Sequence, residues 1–242
     1  MTKCWANGSA KGHLALLGLF LLIQLAAASA QGQIPVTSCE TYIRDPGDYI
    51  LAHNLSDCRR FGIVITTHAR LNLNGHTISG TGNFSGIYVD SGGVEISGPG
   101  TISNFETGVF IASGGDLVRV TQVSSTGNSV GFYSPVARVL FQQNTATGNT
   151  SSGFSIVSIE SEIHDNTATG NGQGIDVDGV RNQVTHNTTN NNRYGIAARG
   201  ADNVIKGNTA LNNGTYDLLD YTDCRNLWTD NTFHTANRSC IH

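Results

Sequence analysis

Lysine all but vanishes from this sequence after its first dozen residues: beyond Lys11 only Lys206 remains. Chemistry built on a lysine base or Schiff base therefore has a single candidate. From Gln31 onward there are 12 Lys and Arg against 18 Asp and Glu, a formal charge of -6 (12 minus 18). A surface of that sign does not favour nucleic acid, whose affinity rests on neutralising phosphates. Charged residues make up only 13% of the chain, about half the usual quarter. Long apolar runs are missing too. The run Leu14–Leu25 falls short of the roughly 20 residues that a spanning helix needs, and nothing later reaches even that length. A phosphate-cradling glycine loop, a Ser-His-Asp set and a cysteine nucleophile are likewise not visible.

What is present first is an export signature. Lys3 and Lys11 precede "LALLGLFLLIQL", and "AAASA" supplies small residues at Ala28 and Ala30. This pattern predicts a signal peptide over residues 1–30 and a secreted, extracellular or periplasmic mature chain. Four cysteines remain after it: Cys39, Cys58, Cys224 and Cys240. Neither pair has close zinc-ligand spacing. An oxidising compartment suits terminal bridges, Cys39–Cys58 and Cys224–Cys240, although sequence alone leaves other pairings open.

The body of the chain repeats. Glycine followed by alternating apolar residues recurs as "GIVI" at Gly62, "GIYV" at Gly86 and "GVFI" at Gly108. It returns as "GFYS" at Gly131, "GFSI" at Gly153, "GIDV" at Gly174 and "GIAA" at Gly195, at gaps of 24, 22, 23, 22, 21 and 21. "DLLD" at Asp217 is a degenerate eighth member. A second apolar column runs through Val120, Phe141, Ile163, Val184, Ile205 and Trp228. Such periodicity marks a solenoid whose units bury their apolar faces against one another. Alternation with period two excludes helical repeats, and leucine is too sparse for a leucine-rich frame. The expectation is an all-β fold, a single-stranded right-handed parallel β-helix of about eight coils of 21–24 residues. It occupies residues 31–242, with capping segments at 31–61 and 217–242, because bare solenoid ends expose core and strand edges.

From "LNLNGHTISG" to "NLWTDNTF" the sequence resembles the parallel β-helix repeat family, the group that includes pectate-lyase-like and NosD-like proteins. The resemblance implies the fold and leaves the activity open, since this group holds lyases, hydrolases, epimerases and proteins without a known reaction. Two asparagine columns accompany the repeat: Asn144, Asn166, Asn187, Asn208 and Asn231, and Asn128, Asn149, Asn171, Asn192 and Asn213. Asparagine tolerates the left-handed backbone at corners. Amides stacked about 4.8 Å apart can also bond coil to coil.

The outward positions are where chemistry can sit. Two residues after each repeating glycine the column reads Val64, Tyr88, Phe110, Tyr133, Ser155, Asp176, Ala197. Tyr88, Phe110 and Tyr133 form an aromatic platform suited to sugar rings, or else a cross-coil stack with a structural role. Asp176 and Asp178, about 6.7 Å apart along a strand, suit a Ca²⁺ site or an acid–base pair of the kind that cleaves glycosides. Arg199 follows one coil later as a base or substrate clamp, or simply as a surface partner for Asp178. His164, Asp165 and His186 form a second polar cluster. The G-H-G and R-I-K runs of polygalacturonases and the D-P-H-D of mannuronan epimerases are missing; "RDPGD" at Arg44 only grazes the last. "TAT" at Thr145 and Thr167 hints at the T-x-T ranks of ice-binding solenoids, but the second rank fails at Asn190 and Leu211. The reading is a monomeric exported protein that binds or acts on an acidic extracellular polysaccharide as a lyase, epimerase or hydrolase. No cofactor is required by the sequence, with Ca²⁺ the candidate ion. The alternative is a non-catalytic envelope or matrix rod.

Overall fold

In the computed structural model the repeating unit is one turn of a three-sided coil. The model describes residues 32–242 except 113 and 115, so the signal peptide expected over 1–30 lies outside the described residues. Successive coils stack in parallel, and their strands form three stacks. The first stack runs from Ile34–Val36 and Gly47–Leu51 up to Leu227–Thr229. The second runs from Leu55–Cys58 to Thr232–Phe233. The third is a separate nine-stranded sheet: Thr41–Ile43, Ile63–Ile65, Ser85–Val89, Thr107–Ile111, Val130–Ser134, Ser152–Ile156, Gln173–Val177, Tyr194–Ala198 and Tyr216–Asp220. Nine rungs replace the eight expected, since Thr41–Ile43 pairs with Ile63–Ile65 ahead of the first visible repeat. The architecture is the all-β parallel β-helix predicted from the repeat, with no helix among the described residues.

Register explains the apolar columns. Val120, Phe141, Ile163, Val184, Ile205 and Trp228 are direct partners in the first stack and all are buried. Opposite them the second stack turns in only small residues, Ser125, Ala146, Ala168, Thr189 and Ala210. That leaves room for Phe132 and Phe154 of the third stack, parallel at 4.7 Å, and for Phe141 edge-on at 5.6 and 5.9 Å. Such ring pairs add to the burial of their apolar area.

The glycine column is required by close approach. A Cβ on Gly131, Gly153 or Gly174 would sit 2.5–2.7 Å from the carbonyl oxygen of the next glycine in the column. No side chain fits there.

The asparagine columns are ladders with buried amides. In each, the Oδ1 of one Asn accepts both the backbone N–H and the Nδ2 of its counterpart one coil earlier, as Asn166 does from Asn144 at 2.9 and 3.1 Å. Nδ2 also donates backward, Asn166 to the Phe141 carbonyl at 2.9 Å. The left-handed residue is the one before each Asn, as at Gln143, Asp165 and His186 or Gly127, Gly148 and Asn191. The assignment of that backbone to the ladder asparagines themselves is thereby corrected. An Asn side chain aimed inward needs ordinary strand-like backbone, so its neighbour takes the bend. A third ladder, Asn182, Asn203 and Asn226, occupies the remaining corner.

In every ladder the Asn backbone N–H donates to the Oδ1 of the next coil, toward the C-terminus, and two of the ladders end on a carboxylate. Asp217 Oδ1 accepts from the Asn213 backbone and side chain at 3.1 and 2.8 Å. Asp220 Oδ2 accepts from Asn226 at 3.2 Å and from the Trp228 indole at 2.7 Å. The tail then crosses the last rung, where Asn237 Oδ1 accepts the Asp220 N–H at 2.8 Å. Disulfides Cys39–Cys58 and Cys224–Cys240 are both formed, as expected.

Candidate functional site

The outer surface of the third stack gathers the sequence-predicted site residues. Tyr88, Phe110, Tyr133, Ser155, Asp176 and Ala197 are successive register partners in one column. Tyr88 and Phe110 lie 5.3 Å apart and tilted; Phe110 and Tyr133 lie 5.1 Å apart and nearly parallel. Phe61, 5.3 Å from Tyr88, and Phe84, 5.2 Å from Phe61, extend the run downward. These rings border a shallow groove of about 320 Å³, with exposed Glu106 at its margin. Phe61, Phe84 and Glu106 fall outside the glycine-based frame. Only their nearness to the repeats, "RRFGIVI" and "GNFSGIYV", signalled them.

Only Phe110 and Tyr133 stack face to face in this run; the other rings meet tilted or edge-on. Tyr133 is the last ring of the column. Its partner one coil on is Ser155, whose small side chain leaves a step before Asp176. Two coil spacings, about 9.6 Å, separate the tyrosine and aspartate positions.

Asp176 is held rather than solvated. Its Oδ1 accepts from Arg199 Nε at 3.1 Å, and its side chain is 15% exposed against 38% for the arginine. The expected Asp178–Arg199 surface pair is therefore corrected. Asp178 stands opposite Arg199 in register, but the guanidinium reaches diagonally to the more buried carboxylate, where the local dielectric is lower and the attraction stronger. Asp178 itself is exposed just beyond the strand. Arg199 also lies over the Tyr221 ring at 4.6 Å. Burial pushes the Asp176 carboxyl above its ordinary range, and the Asp178 charge acts in the same direction. The Arg199 charge and hydrogen bond only partly offset them.

The second cluster is looser. His164 Nδ1 and Asp165 Oδ2 are 2.9 Å apart, whereas Asp165 and His186 occupy the left-handed corner column. The "TAT" segments are paired in register on the second stack, where Thr169 meets Asn190 one coil later. Among the described residues no group of three or more His, Cys, Asp or Glu is arranged to hold a metal ion. Among them also no helix is long and apolar enough to cross a membrane.

Comparison with known proteins bears on family and fold. No curated protein matches the chain in sequence. A solved structure to which the chain is similar is the A-module of mannuronan C-5 epimerase AlgE6 from Azotobacter vinelandii. The TM-score is 0.57 at 14% identity, over 87% of this chain and 70% of that one. At such identity the likeness is one of fold.

The family model described as "Periplasmic copper-binding protein (NosD)" matches residues 36–238. The donor set here does not fit copper. All four cysteines among the described residues are oxidised in pairs, and the single methionine is Met1, so the soft ligands that select Cu(I) are missing there. Imidazoles, the other usual donors, lie scattered. The disulfides agree with an exported chain, secreted or periplasmic. Because the match runs through nearly all of the coils, this chain belongs to the NosD family of periplasmic β-helix proteins.

Proposed function

We propose that this protein binds an acidic extracellular polysaccharide along the outer face of the third stack and acts on it there. The observation that carries the reading is the end of the aromatic run at Tyr133, one small residue short of the Asp176–Arg199 pair. A sugar ring seated over Ser155 would have the Tyr133 ring on one side and the ion pair on the other. Phe110 and Tyr88 would continue the platform for neighbouring sugars. The Nη edge of Arg199 suits a uronate carboxylate, since a guanidinium meets a carboxylate through paired N–H donors.

Asp176 has the character of a proton donor. Its raised pKa, caused first by burial, keeps more of it protonated near neutrality than an exposed aspartate, and general acids are tuned in that direction. It would supply the proton to the departing glycosidic oxygen. Exposed Asp178 would serve as the partner base. Elimination, epimerisation and hydrolysis all draw on such a pair. Calcium at Asp176 and Asp178 requires Arg199 to move away from Asp176, and two carboxylates provide few of the roughly 6–8 oxygens that the ion takes.

A non-catalytic rod is the second reading, favoured by the mutual stacking of Phe61, Tyr88, Phe110 and Tyr133. Incubation with a panel of uronic-acid polymers, with and without Ca²⁺, separates the two. The site reading expects unsaturated, epimerised or shortened products from the parent and none from Asp176→Asn. Neither product nor binding on any glycan would establish the rod.

A further inference from the structure

A second depression, of about 450 Å³, lies where the corner after the third stack meets the outer face of the first. Two ranks border it. Leu117, Arg138 and Glu160 line one side from the corner, each with left-handed backbone. Arg119, Leu140 and Glu162 face them as direct register partners on three successive coils. Val118 and Val139, both buried, form the floor.

Two features of this groove bear on what it could hold. Leu117 is 60% exposed and left-handed at φ 59°, a conformation that costs a residue with a bulky side chain energy. An apolar side chain is thus held in water at a strained position. The second feature is a gap in the cross-coil ion pairing. Arg70 bridges Asp48 and Glu95, Arg138 meets Asp116, and Arg181 meets Glu160. Arg119 and Glu162 form no such pair among the described residues. Glu95, the register partner of Arg119 on the preceding coil, is held by Arg70. On the following coil Leu140 stands between Arg119 and Glu162. The unmatched charges are therefore two coils apart, about 10 Å at sheet spacing, with apolar surface between them.

We infer that this groove is a binding site for a short extended peptide with free ends. Its terminal carboxylate would lie on Arg119, its terminal ammonium on Glu162, and a central apolar side chain against Leu117 and Leu140. The length follows from the spacing, because three extended residues cover about 10 Å at 3.3 Å each. A uniformly charged ligand would meet like charge at one end. The site is independent of the glycan face on the third stack.

The test is a titration of the isotope-labelled full mature protein with Ala-Leu-Ala, followed through its backbone amide shifts. The free tripeptide should move the signals of Leu117, Arg119 and Leu140 saturably and leave those of Tyr133 and Asp176 in place. N-acetylation or C-amidation should each weaken binding on the order of threefold to fivefold, as for partly exposed ion pairs. Half-molar salt should remove most of that difference. Glu162→Gln should abolish the response to acetylation only, and Arg119→Gln the response to amidation only. Both positions are at the surface, so the variants keep the fold. Equal affinity for free and blocked peptides overturns the inference, as does the absence of saturable shifts at these residues.

Discussion

Two aspartates on the same nine-stranded sheet have opposite characters. Asp220 points into the last coil and is fully buried. Asp176 points out of an earlier coil and keeps some exposure. Burial pushes both carboxyls up, yet Asp220 ends below its ordinary range because hydrogen bonds from Thr222, Trp228 and Asn226 outweigh burial. Asp176 ends above its range because one arginine does not offset burial and the neighbouring Asp178. The directions part because more donors converge on Asp220, while burial weighs more heavily on Asp176 than its donors and Arg199 offset.

The largest effect should come from placing a third acid inside without donors. Val184→Asp would bury an unpaired carboxylate between Ile163 and Ile205, a penalty of several kcal/mol. The soluble folded yield of that variant should collapse, whereas Thr185→Asp, one residue away and facing outward, should express normally. Equal yields would reverse the inward and outward assignment.

Next comes Asp220→Ala. It strands the Trp228 indole, the Asn226 amide and the Thr222 hydroxyl and N–H, and buried donors without partners cost about 1–3 kcal/mol each. Denaturant melts should show a loss of at least about 3 kcal/mol. A loss below about 1 kcal/mol would mean that the ladder end needs no carboxylate.

Titration sharpens the contrast further. Asp217 and Asp220 are depressed in the folded state, so the stability they contribute is complete above the ordinary carboxylate range near pH 4. It is lost as pH falls through their folded values. Asp176, raised, has the opposite sign: its protonated form is favoured by folding. Stability therefore declines as pH rises from about 4 through its folded value. Thermal melts across this range should show that decline in the parent and not in Asp176→Asn. A variant that parallels the parent at every pH would remove the raised pKa of Asp176 from the account.

Smallest of all is the effect of Asp176→Asn on the melting temperature at pH 7, within a few degrees for a chain of this size, since only one face of a partly exposed ion pair is lost.

Much of this was legible from spacing. Glycine at intervals of 21–24 and the Phe141 column follow from the demand that every coil repeat the one beneath it, and the terminal cysteines from an oxidising compartment. The role of the glycines was not legible, because backbone contact with the next coil leaves no mark on φ preference. Nor was the third ladder: Asn182, Asn203 and Asn226 sit among Arg and Asp residues that read as solvated corners. Arg199 follows Asp178 one coil later by spacing, yet its long side chain reaches diagonally to Asp176, a choice that column spacing does not express. The Tyr133 to Ser155 step was present in the sequence as a column change. Its meaning required knowing that Tyr133 stacks on Phe110 on one side and meets only Ser155 on the other.

The account turns on whether a glycan lies across that step. Calorimetric titration of an oligouronide into the parent, Tyr133→Ala and the distant Thr185→Asp control tests it most directly. The prediction is a loss of affinity on the order of tenfold for Tyr133→Ala, as expected for one ring contact of about 1.4 kcal/mol, with the control unchanged. Parent-like affinity in folded Tyr133→Ala would contradict it.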